Sequence, residues 1–138
     1  GYQPPEYIDK GDMSGKFDNF SLGVMMIRIV SGPESYPTCL HMPSDEFIDQ
    51  VRKNWRKRLQ ATNTSDSLLG SYCHQVVSCI QIALNCLEND SQKRPDIVNI
   101  MEKLNKIETD MGKVIYIICK GMQWVARSGI NFTAWTIM

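Results

Sequence analysis

The segment from Phe17 to Val30 is rich in apolar residues, and after Ser21 only Arg28 is strongly polar. A helix that is apolar all round must lie in the centre of a protein. The length of the run and the glycines that bound it, Gly15 and Gly32, favour a helix over a strand. The sequence therefore predicts a central, buried helix here, although the charge of Arg28 argues in part against complete burial.

Three further segments show the spacing of amphipathic helices. Ser44 is the predicted N-cap of a helix that runs to about Arg58, with acidic residues in its first turn. A second helix is predicted to end near Asn89, and a third to begin at Pro95. Proline suits the first position of a helix because a backbone N–H there makes no intrahelical hydrogen bond. Their inward faces are predicted to carry Phe47, Val51 and Trp55, then Val76, Ile80, Ala83, Leu84 and Leu87, then Ile97, Ile100, Met101, Leu104 and Ile107.

The segments between and after these helices are predicted to be irregular. The proline-containing stretch after Gly32 and the Ser/Thr-rich stretch 61–71 are both expected to be loops. Residues 111–138 have no clear periodicity, and we expect them to form a poorly packed tail of low order. The predicted fold class is all-α, with about four main helices.

Charge and cysteine content exclude several classes of function. The 138 residues contain 15 Lys and Arg against 15 Asp and Glu, so no overall field favours nucleic acid, and we expect no nucleic-acid partner. The five cysteines are odd in number and lack the Cys-x-x-Cys spacing, which favours a reducing, cytoplasmic compartment. No apolar run reaches the ~20 residues of a membrane span, and no signal peptide is visible at the amino terminus.

Two pairs of neighbouring residues resemble metal ligands only superficially. Cys39 lies near His41, and Cys73 precedes His74, but neither pair has a second pair at metal-binding spacing. The sequence therefore predicts no metal site.

Three strings in the sequence become informative when they are taken together. Residues 1–7 are GYQPPEY, residues 18–24 are DNFSLGV, and residues 86–95 run from Cys86-Leu87 to Lys93-Arg94-Pro95. In order and spacing they resemble the end of the activation segment, the start of the central helix and the turn before the final helix of eukaryotic protein kinases. The resemblance covers Gly1 to about Asp110. The residues in these strings are similar to those of plant receptor-like kinases, including the cysteine-rich group.

The resemblance implies roles for particular residues. Glu6 matches the glutamate of the Ala-Pro-Glu motif, and Arg94 matches the arginine that forms a buried ion pair with it. Asp18 matches the aspartate that accepts hydrogen bonds from the catalytic loop. Tyr2 and Pro4 match the region that shapes a substrate pocket. The alternatives are that Glu6 and Arg94 are independent surface charges and that Asp18 is only favoured by the helix dipole.

The residues that transfer phosphate do not occur in this sequence. Protein kinases use a glycine-rich loop, a lysine, a catalytic-loop aspartate and an Asp-Phe-Gly aspartate to hold ATP and Mg²⁺. The chain contains no Gly-x-Gly-x-x-Gly, His-Arg-Asp or Asp-Phe-Gly string. We therefore expect no catalytic and no cofactor-binding residues in this chain, whereas the intact family uses ATP and Mg²⁺.

These observations predict a helical carboxy-terminal (C-lobe) portion of a protein kinase, with residues 1–110 as a partial kinase domain and residues 111–138 outside the family pattern. The expected function is that of a fragment of an ATP-dependent Ser/Thr-type kinase in receptor-like signalling, itself without activity, as in a pseudokinase. The alternatives are a non-catalytic helical module that binds protein partners through its exposed surface, and a truncated product without function. The expected location is the cytoplasm, or the cytoplasmic side of a membrane if the chain belongs to a longer receptor.

Overall fold

A computed structural model of the protein describes residues 2–111, with side chains as far as residue 107. Within that range the chain forms helices and connecting turns and contains no strand, so the predicted all-α class is confirmed. The elements are α1 (Pro5–Lys10), α2 (Phe17–Ser31), α3 (Ser35–His41), α4 (Ser44–Ala61), α5 (Asp66–Cys86), a 3₁₀ turn (Ser91–Lys93) and α6 (Ile97–Met111).

The centre of the fold is the packing of α2 against α5. Val24 and Ile27 of α2 and Ile80 of α5 are completely buried. The two helices approach closely at Gly23, where an added Cβ would lie 2.7 Å from Cys86 Cβ and 2.8 Å from the carbonyl oxygen of Ala83. A side chain at position 23 would therefore push the two central helices apart. The prediction that α2 is central is correct, but only six of its fifteen residues are buried and Met25 is 44% exposed, so the helix is not buried on all sides.

Helix α4 covers another side of α5 with one apolar face. Its buried side chains are Phe47, Val51, Trp55 and Leu59, which recur every four residues as the sequence pattern predicts. The indole Nε1 of Trp55 donates a hydrogen bond of 2.7 Å to the carbonyl oxygen of Val30. Carbonyl groups in the last turn of a helix lack intrahelical donors. Trp55 therefore both fills the core and satisfies the end of α2.

Helix α6 packs on α5 through fewer residues than the sequence pattern predicts. Ile100 and Ile107 are buried, but Ile97 and Met101 are 51% and 53% exposed, so their predicted inward position is wrong. The five predicted positions form one apolar stripe, with 97 and 101 towards one edge and 100 and 107 at the other. The stripe is wider than the part that is buried, and periodicity alone does not tell which edge meets α5.

The predicted loop after Gly32 contains helix α3. Pro37 is the third residue of α3, where the backbone N–H would have no intrahelical acceptor and a proline costs little. The second predicted loop is also shorter than expected, because α5 already begins at Asp66. Both errors arose from treating proline, serine and threonine as signs of irregular structure when they also suit the first turn of a helix.

Two predicted helix starts are displaced by one or two residues. Pro43, rather than Ser44, is the N-cap of α4, and no side chain caps that helix. Helix α6 begins at Ile97 rather than at Pro95. Asp96 precedes it, and its Oδ1 accepts a hydrogen bond of 2.8 Å from the backbone N–H of Asn99. Asp96 thus occupies the capping position of α6, whereas the sequence predicted that the helix would already have begun there.

The predicted low order of the tail and the predicted domain boundary at position 110 stay predictions. Residues 112–138, which make up nearly all of the predicted tail, lie outside the described residues, so the boundary at position 110 is not tested. Between residues 2 and 111, the helices are too short or too polar to cross a bilayer.

Candidate functional site

Arg94 lies in the turn before α6, and its side chain is completely enclosed by protein. Its guanidinium makes two parallel hydrogen bonds to the Glu6 carboxylate, with Nη1–Oε1 and Nη2–Oε2 distances both 2.7 Å. Fork-to-fork pairs of this kind are the strongest geometry available to an arginine and a carboxylate. The structure therefore brings together the two charged residues that the sequence analysis paired.

The other contacts of Arg94 fix the guanidinium in one orientation. Its Nε donates to the carbonyl oxygen of Glu88 at 2.7 Å, and Nη2 also lies 3.3 Å from the carbonyl oxygen of Asn89. The ring of Phe20 lies against the guanidinium, with the centroid 5.0 Å from Cζ. Burial of a cation raises the free energy of the folded state unless its donors make hydrogen bonds. These contacts therefore offset the cost of burying Arg94.

Glu6 also contacts Ser14, which lies in the loop between α1 and α2. Ser14 Oγ donates a hydrogen bond of 2.9 Å to Glu6 Oε1. The hydrogen bonds from Arg94 are the main cause that lowers the pKa of Glu6 from 4.5 to about 2, against the opposing effect of burial. The carboxylate is therefore ionised throughout the physiological pH range.

Further polar contacts join the turn before α6 to the start of α2. Lys16 donates from Nζ to the carbonyl oxygens of Gln92 and Arg94. Asn19 Nδ2 donates to the carbonyl oxygen of Pro95 at 2.9 Å. The segment that contains Arg94 is thus bound to residues more than seventy positions earlier in the chain, and the ion pair is part of a wider connection.

The three other residues singled out by the resemblance lie at different places. Asp18 is exposed in the first turn of α2, where the helix dipole favours a negative charge. Pro4 is fully buried. The backbone oxygen of Tyr2 accepts a hydrogen bond of 2.7 Å from Ser21 Oγ. The role of these residues as a family motif stays a prediction, because none of their contacts among the described residues tests it.

Sequence reasoning missed a contact between Tyr2 and Arg28. Nη1 of Arg28 donates to the Tyr2 hydroxyl at 2.7 Å, and the guanidinium carbon lies 5.4 Å from the centroid of the ring. The available signal was the charge of Arg28 on an apolar helix. A charged residue on such a helix needs a polar neighbour, and Tyr2 supplies one.

The described residues contain no arrangement typical of metal or thiol chemistry. No group of three or more His, Cys, Asp or Glu side chains between residues 2 and 107 is placed to hold a metal ion. Cys39 and Cys73 are buried, whereas the neighbouring His41 and His74 are exposed. Burial raises the pKa of Cys39, Cys79 and Cys86 to about 11, so these thiols are protonated and unreactive at neutral pH.

A cavity of about 540 Å³ lies between α5 and α6, away from the Glu6–Arg94 pair. His74, Lys103 and Lys106 line it, together with amide and hydroxyl groups and two isoleucines. It contains none of the residues that the resemblance singles out.

Comparison with known proteins identifies the class to which this chain is related. Cysteine-rich receptor-like protein kinase 8 of Arabidopsis thaliana is 32% identical over 106 residues, which are 75% of this chain and 16% of that protein. Cysteine-rich receptor-like protein kinase 25 is 28% identical over 106 residues. A G-type lectin S-receptor-like serine/threonine-protein kinase of the same plant is 29% identical over 114 residues, 80% of this chain and 13% of that protein.

Over three quarters of its length the chain is similar to one part of plant receptor-like protein kinases. It spans between 13% and 16% of the length of these relatives. No family model matches the sequence, and no solved structure matches it.

Proposed function

We propose that this chain is the helical carboxy-terminal lobe portion of an ATP-dependent Ser/Thr-type receptor-like kinase and that it has no phosphotransferase activity of its own. The Glu6–Arg94 pair carries the proposal. Two oppositely charged side chains 88 positions apart meet in bidentate geometry, one of them completely buried. These are the two residues that the kinase resemblance pairs, and independent surface charges would not meet in this way.

The proposed lack of activity follows from the chemistry of phosphoryl transfer. Catalysis of this reaction consists almost entirely of positioning and of charge stabilisation by a glycine-rich loop, a lysine, two aspartates and Mg²⁺. None of the strings that carry these groups occurs in the 138 residues. The charged pair at the site is also unsuited to replace them, because the Arg94 donors are already bound to Glu6, Glu88 and Asn89.

A thermal melt with nucleotide tests the proposed inactivity. A ligand that binds only the folded state at 100 times its dissociation constant stabilises that state by about 2.7 kcal/mol. We expect ATP with Mg²⁺ to leave the melting temperature of the purified chain unchanged, and we expect no transfer of phosphate to a generic protein substrate. A saturable rise in melting temperature with ATP would contradict the proposal.

The coding sequence upstream of Gly1 tests the proposed origin. We expect the same reading frame, upstream of Gly1, to encode a catalytic-loop string and an Asp-Phe-Gly string. An upstream sequence without either string would refute the assignment to the carboxy-terminal lobe. If the strings are present, a longer protein that includes them is expected to bind ATP.

A non-catalytic binding module is the second candidate, and the exposed face of α6 favours it. Ile97, Val98 and Met101 are each more than half exposed, and neighbouring exposed apolar side chains commonly mark contact surfaces. Replacing Val98 and Met101 by serine is expected to abolish capture of a partner if this surface is used. If the chain is monomeric and captures nothing, the candidate is excluded.

Cytoplasmic localisation and protein partners follow as part of the same proposal. A kinase lobe acts on the side of the membrane where ATP is present, so a chain of this origin would face the cytoplasm. The odd number of cysteines and the lack of Cys-x-x-Cys spacing support a reducing compartment.

A further inference from the structure

Arg28 carries a positive charge that no carboxylate among residues 2–107 neutralises. Arg52, Lys53 and Arg94 each contact a carboxylate, whereas Arg28 contacts none in the described part of the chain. Arg28 is half-buried, and its Nε is enclosed without a hydrogen-bond partner. A partly desolvated cation without a counter-ion raises the free energy of the folded state. An anion that reached the guanidinium would recover part of that cost.

The geometry leaves one end of the guanidinium open to a ligand. Nε is enclosed, and Nη1 donates to the Tyr2 hydroxyl. Nη2 makes no hydrogen bond within the described residues and is not among the enclosed polar atoms. The ring of Tyr2 lies beside the guanidinium, and Ser21 holds the Tyr2 backbone. Arg28 is therefore fixed on one side by a neutral phenol and free to bind on the other.

We propose that Arg28 and Tyr2 form a subsite for an anionic peptide side chain, either a carboxylate or a phosphorylated residue. The guanidinium offers planar donors that match both kinds of oxyanion, and the Tyr2 hydroxyl can donate its own proton to the same ligand. The subsite rests on the proposed function in one respect, since Tyr2 and Pro4 match a substrate-pocket region only through the kinase resemblance. Arg28 thereby acts as a residue that selects acidic peptides and disfavours basic ones.

Peptide binding to the 138-residue chain tests this subsite. Three fluorescein-labelled peptides, identical except for one central Glu, phosphoserine or Lys, are titrated with the protein, and fluorescence anisotropy is measured. We expect the Glu and phosphoserine peptides to bind at least about fivefold more tightly than the Lys peptide, as for a charge-assisted hydrogen bond. The ratio of the Glu to the phosphoserine affinity distinguishes a carboxylate site from a phosphate site.

Two variants and one control locate the effect. Arg28→Gln is expected to abolish the preference, and Tyr2→Phe is expected to reduce it while the guanidinium remains. Arg56→Gln removes an exposed charge from α4 and is expected to leave the preference unchanged. Equal affinity for the Glu and Lys peptides, no binding of either acidic peptide, or a preference that persists in Arg28→Gln would each overturn the subsite.

A measurement on the unmodified protein covers the case in which Arg28→Gln does not fold. With ¹⁵N-labelled arginine, inorganic phosphate is expected to shift the Nε–H signal of Arg28 in a saturable manner and to leave that of Arg94 unmoved, because the Arg94 donors are already bound. An unmoved Arg28 signal would overturn the subsite. Neither experiment depends on ATP or on the upstream sequence, so the subsite and the proposed function fail on separate measurements.

Discussion

Both carboxylate oxygens of Glu6 accept hydrogen bonds from the guanidinium of Arg94, at 2.7 Å each, across 88 positions of sequence. Arg94 is completely buried, whereas the Glu6 side chain is 17% exposed. The pair therefore joins a short helix at one end of the described chain to the turn before α6. Its arginine lies in the protein interior and its carboxylate lies near the surface.

Replacing Arg94 is expected to destabilise the protein strongly. Arg94→Ala removes the donors to both carboxylate oxygens of Glu6 and to the carbonyl oxygens of Glu88 and Asn89. It also leaves the carboxylate of Glu6 without its cation. Loss of one partner of a buried pair costs about 3–5 kcal/mol, and the partial exposure of Glu6 places the expected loss near the lower end, at about 3 kcal/mol. Urea denaturation measures the change.

The matched control for this prediction is Arg52→Ala. Arg52 lies on the surface of α4 and pairs with Asp49, and its side chain is 55% exposed. Exposed ion pairs contribute little to stability, so its urea midpoint is expected to stay close to that of the wild type. Equal losses in the two variants would show that burial of Arg94 has no energetic consequence.

The stabilising effect of Glu6 is expected to disappear in acid. The pKa of Glu6 is lowered from 4.5 to about 2, chiefly by the hydrogen bonds from Arg94. A carboxyl group with a lowered pKa stabilises the folded state fully above its unfolded pKa, and the effect decreases as pH falls towards the folded pKa. The difference in unfolding free energy between wild type and Glu6→Gln should therefore be largest above about pH 4.5 and shrink steadily towards pH 2.

Denaturation of both proteins over this pH range isolates Glu6 from the other carboxylates, which titrate equally in the two. A difference between wild type and Glu6→Gln that stays constant with pH would contradict the lowered pKa.

Gly23 is expected to tolerate no larger residue. The Cβ of an alanine would lie 2.7 Å from Cys86 Cβ and 2.8 Å from the backbone oxygen of Ala83. Since backbone and a buried side chain cannot move aside easily, Gly23→Ala should cost about 1–3 kcal/mol from overpacking, in spite of the helix propensity of alanine. Thermal or urea denaturation measures the loss.

Gly70→Ala is the control for this substitution. Gly70 also lies inside a helix, but nothing lies within 4 Å of an added Cβ. In such an exposed helical position alanine stabilises by about 0.5–1 kcal/mol relative to glycine. The two glycine substitutions are thus expected to have opposite signs, and two changes of the same sign would contradict the close approach of α2 and α5.

The buried cysteines are expected to resist alkylation in the folded protein. Burial raises the pKa of Cys39, Cys79 and Cys86 to about 11, and only the thiolate reacts. Peptide mass spectrometry after treatment with iodoacetamide should find these three residues unmodified at neutral pH and fully modified in urea. Rapid modification of Cys79 or Cys86 in the native protein would show that α5 opens readily.

The sequence predicted α4, α5 and α6 because each carries a consistent apolar periodicity, and it predicted α2 because a long apolar run is bounded by glycines. It did not predict α3, since a seven-residue helix with an internal proline has no such signal. It also placed Ile97 and Met101 inward, because periodicity defines a face without telling which neighbour covers it. Contacts with other elements decided the orientation of α6.

The candidate site could not be predicted from the hydrophobic pattern of the sequence alone. Nothing in the local sequence around Glu6 or Arg94 indicates that the two residues meet, and their pairing was predicted from the kinase resemblance. The contact between Arg28 and Tyr2 was missed because it joins residues 26 positions apart. Polar contacts between distant segments are set by the three-dimensional arrangement of the helices, which single-sequence reasoning does not supply.

The distance along the chain between Glu6 and Arg94 also bears on the order of synthesis. A ribosome makes Glu6 long before it makes Arg94, and α2, α3, α4 and α5 all emerge in between. Synthesis proceeds from the amino terminus, so the carboxylate of α1 cannot pair with Arg94 until translation passes position 94. A messenger that ended between α5 and position 94 would thus yield a polypeptide with its central helices complete and its first helix without the arginine that holds it.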